Sequence, residues 1–150
     1  PDADQLGQEE AKIDGLWSRT SGIKGFEITK KVKDLMYDNC SLVKEKHEME
    51  QALAAVQEVR SDDVPRLCVS SPSRVYNKGF MEAWEADYMA ELSEMVVQAS
   101  LMREESRGSH YRGDFTNRDD DKWLKNIVIK QVDGKMTFET VVPVMTKMKP

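Results

Sequence analysis

Between Asn77 and Ser106 the residues Phe80, Trp84, Tyr88, Leu92, Met95, Ala99 and Met102 recur at steps of three and four. That period puts them on one side of an α-helix, and Asn77 just before them supplies a side-chain oxygen for the helix's free N–H groups. At 1.5 Å per residue the helix is on the order of 40 Å long, so a compact fold must lay its other elements along it. Shorter helical repeats precede it: Ala3, Leu6, Ile13 and Trp17, ending near Ser18; Ile28, Val32, Leu35 and Met36, ending near Asn39; and Met49, Leu53, Val56 and Val59. The stretch RSDDVPRLCVSSPS, from Arg60 to Ser73, carries two prolines and small polar residues and reads as a loop. Gly108 stands where a left-handed C-terminal cap of the long helix belongs. After it the period changes. WLKNIVIKQ and KMTFETVV are rich in β-branched and aromatic residues, and Asp133-Gly134 between them predicts a type I′ hairpin turn, with strands from about Leu124 to Val142. The expected fold is mainly α: a three- or four-helix bundle, one helix long, with a C-terminal antiparallel β-hairpin that must pack on the helices to be stable.

Charge and length narrow the function classes. A chain of 150 residues is long enough for one domain with a core of its own. Its net charge of -5 and the lack of a basic stripe argue against nucleic acid or anionic lipid as partners. No apolar run approaches the roughly 20 residues of a membrane-spanning helix, so direct membrane insertion is not expected. Cys40 and Cys68 form no CxxC and read as reduced thiols of a cytoplasmic-type compartment. The opening PDADQLGQEEAKIDGLW has no initiator Met and no secretory leader pattern, and reads as a piece of something longer.

The motifs of cofactor and metal chemistry are missing. None of the eight glycines builds a GxGxxG or a P-loop. His47 and His110 lie in no zinc-type spacing, and RDDDK fails the alternate spacing of an EF-hand, so no metal site is expected. Ser106, His110 and Asp114 stand four residues apart, but Gly108 interrupts the helix that would align them, and no oxyanion hole is in prospect, so a hydrolytic triad is not expected. His110 reads as a hydrogen-bonded structural residue. Trp84, Tyr88 and Trp123 read as core rather than as a stacking platform.

The arginines are distributed unevenly. Arg103, Arg107, Arg112 and Arg118, four of the eight, fall within REESRGSHYRGDFTNRDDDKWL among acids, while the rest of the chain prefers lysine. A planar guanidinium suits fixed, bidentate pairing, whereas lysine is a flexible point charge. Simple local pairing with Glu104, Glu105, Asp114 and Asp119 is one reading; a loop fixed for an interface is the one preferred.

ESRGSHYRGDFTNRDDDKWLKN also resembles the signature of the C-terminal part of the flavoprotein subunit of succinate dehydrogenases and fumarate reductases. Glu105, Ser106, Arg107, Gly108, His110, Arg112, Asp114, Arg118, Asp119, Asp120, Leu124 and Lys125 fall in register with it, with Trp123 in its aromatic position. SRVYNKGFMEAWE, with Asn77 and Glu85, resembles the opening of that family's long helix, and VKDLMYDNCSLVK a further segment, although Ser41 and Lys44 stand where glycine and arginine are usual and Thr116 replaces a common proline. The likeness runs from about Ile28 to Val144. L-aspartate oxidase shares the Glu-Ser-Arg-Gly segment but is expected to stop soon after it, and adenylylsulfate reductase shares architecture more than this motif.

The resemblance implies a division of labour. In the family FAD, the dicarboxylate-binding groups and the proton donor belong to flavin-binding and capping domains, so no catalytic, cofactor-binding or metal residues are expected in this chain. Residues 1–25 would lead from the flavin domain, and residues 26–150 would form the C-terminal helical domain with its hairpin at 124–142. The interface with the flavin domain or a partner subunit is expected at Glu105, Ser106, Arg107, Gly108, His110, Arg112, Asp114, Arg118, Asp119, Asp120 and Trp123. FAD would sit elsewhere in the parent protein and the iron-sulfur clusters in a partner subunit, with the complex cytoplasmic and peripheral on the inner face of the membrane. The alternative is a free-standing helical module whose arginine loop recognises an acidic partner.

Overall fold

In the computed structural model, which describes residues 2–144 and 146, four helices of three turns or more lead into a hairpin. They are α1 (Ala3–Ser18), α2 (Gly25–Asn39), α3 (Lys46–Glu58) and α4 (Lys78–Met102); a single turn, α5 (Asp120–Trp123), follows. Three two-residue strands, β1 (Ile23–Lys24), β2 (Val43–Lys44) and β3 (Leu67–Cys68), lie between the helices, and a fourth, β4 (Tyr111–Arg112), follows α4. The hairpin strands are β5 (Asn126–Val132) and β6 (Lys135–Val141), in register from Asn126 opposite Val141 to Val132 opposite Lys135. Asp133 and Gly134 both have positive φ, as a type I′ turn requires. The bundle and the hairpin thus follow the expected architecture, with α2, α3 and α4 packed on one another and α1 laid against α4 as the fourth helix.

Small residues set the spacing of the bundle. The buried seam of α4 is Ala83, Ala86, Ala90, Ser93, Val97 and Ser100, three- and four-residue steps of side chains short enough for close helix contact. At Gly25 the backbone of α2 sits so close to Glu82 and Ala83 that a Cβ there would fall on α4 backbone atoms. Ile28 and Val32 of α2 and Leu16, Val59, Leu67 and Val69 complete this core. A second cluster, Cys40, Met49, Ala52 and Val97, lies further along. Both cysteines are buried and free.

The large apolar residues that announce the long helix mark a different side from this seam. Trp17 stacks on Phe80 with centroids 4.5 Å apart, followed by Phe80–Trp84 at 5.9 Å and Trp84–Tyr88 at 5.5 Å. This ladder is only partly buried beneath α1, and Tyr88 is exposed, so of the three aromatics expected in the core Trp123 alone is buried.

Three local expectations are corrected. The stretch from Arg60 onward is not loop throughout: α3 runs on through a π-helical turn, Val59–Asp63, and a 3₁₀ turn, Val64–Arg66, into β3, which pairs in parallel with β1. Buried Val59 and Leu67 pull this stretch against the bundle and override its polar, proline-marked composition. Helix α4 ends at Met102 rather than near Ser106. Gly108 caps no helix; with φ of +59° it forms the turn of a small loop in which the backbones of Arg107 and His110 exchange hydrogen bonds of 2.8 and 3.0 Å.

Candidate functional site

The segment that follows α4 folds around two buried ionic groups. Glu105 is wholly buried, and its carboxylate is fully used: Oε1 accepts from Arg103 (2.6 Å) and from Arg107 Nε (2.8 Å), and Oε2 accepts from Arg107 Nη2 and from the Asp119 N–H, both at 2.9 Å. Burial opposes its ionisation, but the hydrogen bonds from Arg107, the Asp119 N–H and Arg103 outweigh that cost and hold its pKa at about 2. Arg103 also donates to the carbonyls of Trp123 (3.1 Å) and Lys125 (2.6 Å), tying the start of the segment to its end.

Arg112, 1% exposed, is the second centre. Its Nη1 donates to the carbonyls of Ser100 (2.8 Å) and Arg103 (3.0 Å) at the end of α4, where helix geometry leaves acceptors without partners. Its other edge grips Asp114 in a bidentate pair of 2.7 and 2.6 Å. A lysine could not cap a helix and chelate a carboxylate at once, which is a physical reason for arginine at this position. The pairing of β4 with β2 sets Lys44 opposite Arg112, and the Gly113 N–H donates to the Lys44 carbonyl at 3.0 Å. A Cβ at Gly113 would meet the carboxylate end of the Glu45 side chain, which would have to swing away.

The eleven residues expected at an interface are brought together, at different depths. Glu105, Arg112 and Trp123 are buried within the chain itself; Ser106, Arg107, His110 and Asp119 are half-buried; Gly108, Asp114, Arg118 and Asp120 are exposed. Asp120 joins Arg107 and Arg118, each 2.7 Å away, and these two guanidiniums lower its pKa. All four arginines of the segment therefore have a carboxylate partner inside the chain. Tyr111 and Phe115 stand exposed beside them; Phe115 lies 4.9 Å from the Arg112 guanidinium, on its ring face. Gly113 and these two aromatics were not singled out by the sequence, and Lys44 stood out only as a departure from the family's arginine, because their roles depend on contacts that no local pattern encodes.

Little free acid–base capacity remains. The Ser106 hydroxyl accepts from the Arg112 N–H at 2.9 Å and donates to the Phe115 carbonyl at 2.8 Å, His110 Nε2 lies 3.3 Å from the Arg103 carbonyl, and Asp114 is held by Arg112. The three groups spaced four apart thus turn to separate partners and form no relay. Burial, aided by the positive charges of Lys44, Arg112 and Arg103, lowers the His110 pKa and favours its neutral form. Among the described residues no His, Cys, Asp and Glu cluster of three or more could hold a metal ion. The arrangement is a rigid, preformed loop with an outer edge of aromatic and charged side chains.

The sequence model described as "Fumarate reductase flavoprotein C-term" matches residues 29–150. The chain is similar to the fumarate reductase flavoprotein subunit of Helicobacter pylori, with 28% identity over 77% of this chain and 16% of that protein. It is also similar to the succinate dehydrogenase flavoprotein subunit of Coxiella burnetii, with 28% identity over 89% of this chain and 22% of the relative. Its fold is that of part of the FrdA chain of an E. coli quinol fumarate reductase variant, with a TM-score of 0.87 and 22% identity, covering 98% of this chain and 26% of that one. The chain thus spans about a fifth of the length of the curated relatives it matches.

Proposed function

The chain belongs to the fumarate reductase flavoprotein C-terminal family, and we propose that it is the assembly portion of a longer flavin enzyme that interconverts succinate and fumarate. On this reading residues 1–25 lead from the flavin-binding part, and residues 26–150 form the helical domain that docks on it and faces an iron-sulfur subunit. The observation that carries the proposal is the preformed loop from Arg103 to Lys125. Its buried members Glu105, Arg112 and Trp123 hold the shape, and its outer edge offers Tyr111, Phe115, Arg118 and Gly108. Exposed aromatic side chains beside arginine are the residue types that dominate interface energies.

The family is one of flavoproteins, yet this chain's own residues do not fit a dinucleotide. At the junction of β1 and α2 a lone glycine begins the helix, and a Cβ there would fall on the backbone of α4, so Gly25 serves close helix packing rather than a phosphate-binding turn. FAD is therefore assigned to the rest of the parent protein, and this chain contributes docking rather than chemistry. No helix of the described residues is long and apolar enough to cross a membrane; on the proposed reading, attachment to the inner face of a membrane runs through the parent complex.

The test uses the parent protein with Tyr111→Ala and Arg118→Ala, whose side chains face outward, and with Arg107→Ala. The outward variants should keep the native dichroism spectrum while losing roughly tenfold or more in association with the iron-sulfur subunit. Arg107→Ala should loosen flavin-domain packing, read as faster flavin loss. Unchanged association and flavin retention in all three would overturn the proposal.

A further inference from the structure

The hairpin leaves β6 with an open edge. With a two-residue turn at Asp133-Gly134, the flanking pair Val132 and Lys135 exchanges backbone hydrogen bonds, and bonded and unbonded pairs alternate from there along the register. The N–H and C=O groups of Met136, Phe138 and Thr140 therefore point away from β5. Among the described residues β6 pairs with no other strand, and no backbone hydrogen bond from a loop or helix reaches it. Proteins blunt such edges with proline, bulges, short strands or central lysines. The β6 sequence KMTFETV runs for seven residues in unbroken register with no proline, and its one lysine stands at the end.

In the antiparallel direction this edge is complementary to itself. A two-fold axis through Thr137 sets Met136 of one copy opposite Phe138 of the other, the residues whose backbone groups are free to exchange hydrogen bonds. The same axis sets Thr137 opposite Thr137 and, at each end, Lys135 opposite Glu139. Lys135 and Glu139 then meet as unbonded pairs, where strands bring side chains closest, with Cα atoms about 4.5 Å apart. Both charges are available among the described residues: Lys135 is exposed with no carboxylate partner, and Glu139 uses only Oε1, toward Lys130. Moving the axis to Phe138 would set Lys135 opposite Val141 and Glu139 opposite Thr137, and both ion pairs would be lost. The β5 sequence NIVIKQV holds one lysine and no acid, so no symmetric pairing on that edge gains an ion pair.

We infer that the partner of the β6 edge is a second copy of this chain: two hairpins join antiparallel about Thr137 into a four-stranded sheet, with a Lys135–Glu139 pair closing each end of the contact. Five residues a side make a small interface, so the association is reversible and rises with concentration. The inference goes beyond the docking role of the arginine loop and names a separate surface.

The test follows sedimentation of the full parent subunit over a concentration series. Lys135→Glu and Glu139→Lys each set like charges opposite one another at both ends of the contact, and each alone should weaken self-association roughly tenfold or more. Mixed together, the two variants regain an opposite-charge pair at each end, so the mixture should associate as the unaltered subunit does. Under mild oxidation Thr137→Cys should give a disulfide-linked dimer, because the paired Cα atoms would stand about 4.5 Å apart. Thr140→Cys should not, because its copies would lie about 20 Å apart along the strands; Cys40 and Cys68 are buried. A subunit that stays monomeric, single variants that associate unchanged, a mixture that does not associate, or no linked dimer from Thr137→Cys would overturn the inference and leave the functional reading standing.

Discussion

Replacing Glu105 with alanine would leave the guanidiniums of Arg103 and Arg107 without their shared buried acceptor. Breaking a buried pair from one side costs about 3–5 kcal/mol, and thermal unfolding of Glu105→Ala should show a loss of that size; a loss below about 1 kcal/mol would mean the pair is dispensable. Because folding lowers the Glu105 pKa from 4.5 to about 2, its contribution is complete above the unfolded value. It should fade as pH falls from about 4.5 toward 2, a slope that Glu105→Gln removes. His110, also lowered by the fold, acts in the same direction at higher pH: the unfolded imidazole gains its proton first, so stability drops as pH falls through and below the ordinary histidine range. Arg112→Lys keeps the charge but loses the fork that serves two helix carbonyls and Asp114 at once. It should destabilise by roughly 2–4 kcal/mol in chemical denaturation, and a neutral result would refute the capping role.

At the scale of elements, close approach decides the bundle. Gly25→Ala must push α2 off the backbone of α4, and overpacking of this kind costs about 1–3 kcal/mol. Gly108→Ala meets no neighbour but must hold φ at +59°, which costs about 1–2 kcal/mol. Urea denaturation of the two variants separates packing from backbone strain: only Gly25→Ala should also alter the near-ultraviolet dichroism of the aromatic ladder. The legibility of the elements follows from the same physics. The hairpin was readable because its turn chemistry is local, with Asp133 and Gly134 both at positive φ. The long helix was readable by period, but its buried side was not. Phe80, Trp84, Tyr88 and Leu92 suggested the core by their helical spacing, whereas close packing selected Ala83, Ala86 and Ala90. The turns from Arg60 to Arg66 were read as loop because Pro65 and the polar residues outweighed the apolar anchors that hold them.

For the whole molecule, the hairpin is the least anchored part. β5 and β6 pair extensively with each other but weakly with the helices, and a two-stranded hairpin gains little stability alone. Hydrogen exchange of the parent protein should show peptides from Asn126 to Val141 exchanging at least about tenfold faster than those from α4, unless another part of the protein covers the hairpin. Protection equal to that of α4 would identify the hairpin as a further docked surface.

The sequence alone determined the four long helices, the hairpin with its turn, and the family, because period, turn residues and a dense motif are local properties of the chain. It also marked the eleven residues around Glu105 and Arg112 as a unit. Only the tertiary structure decided which of them face inward. The partners of Glu105 lie as far along the chain as Asp119, and Arg112 reaches back to Ser100, so their burial follows from long-range contacts and not from composition. The same holds for the open side of α4: a row of large apolar residues looks alike in sequence whether a helix covers it or not, and only the resting places of α1, α2 and α3 leave Tyr88, Leu92 and Val96 exposed.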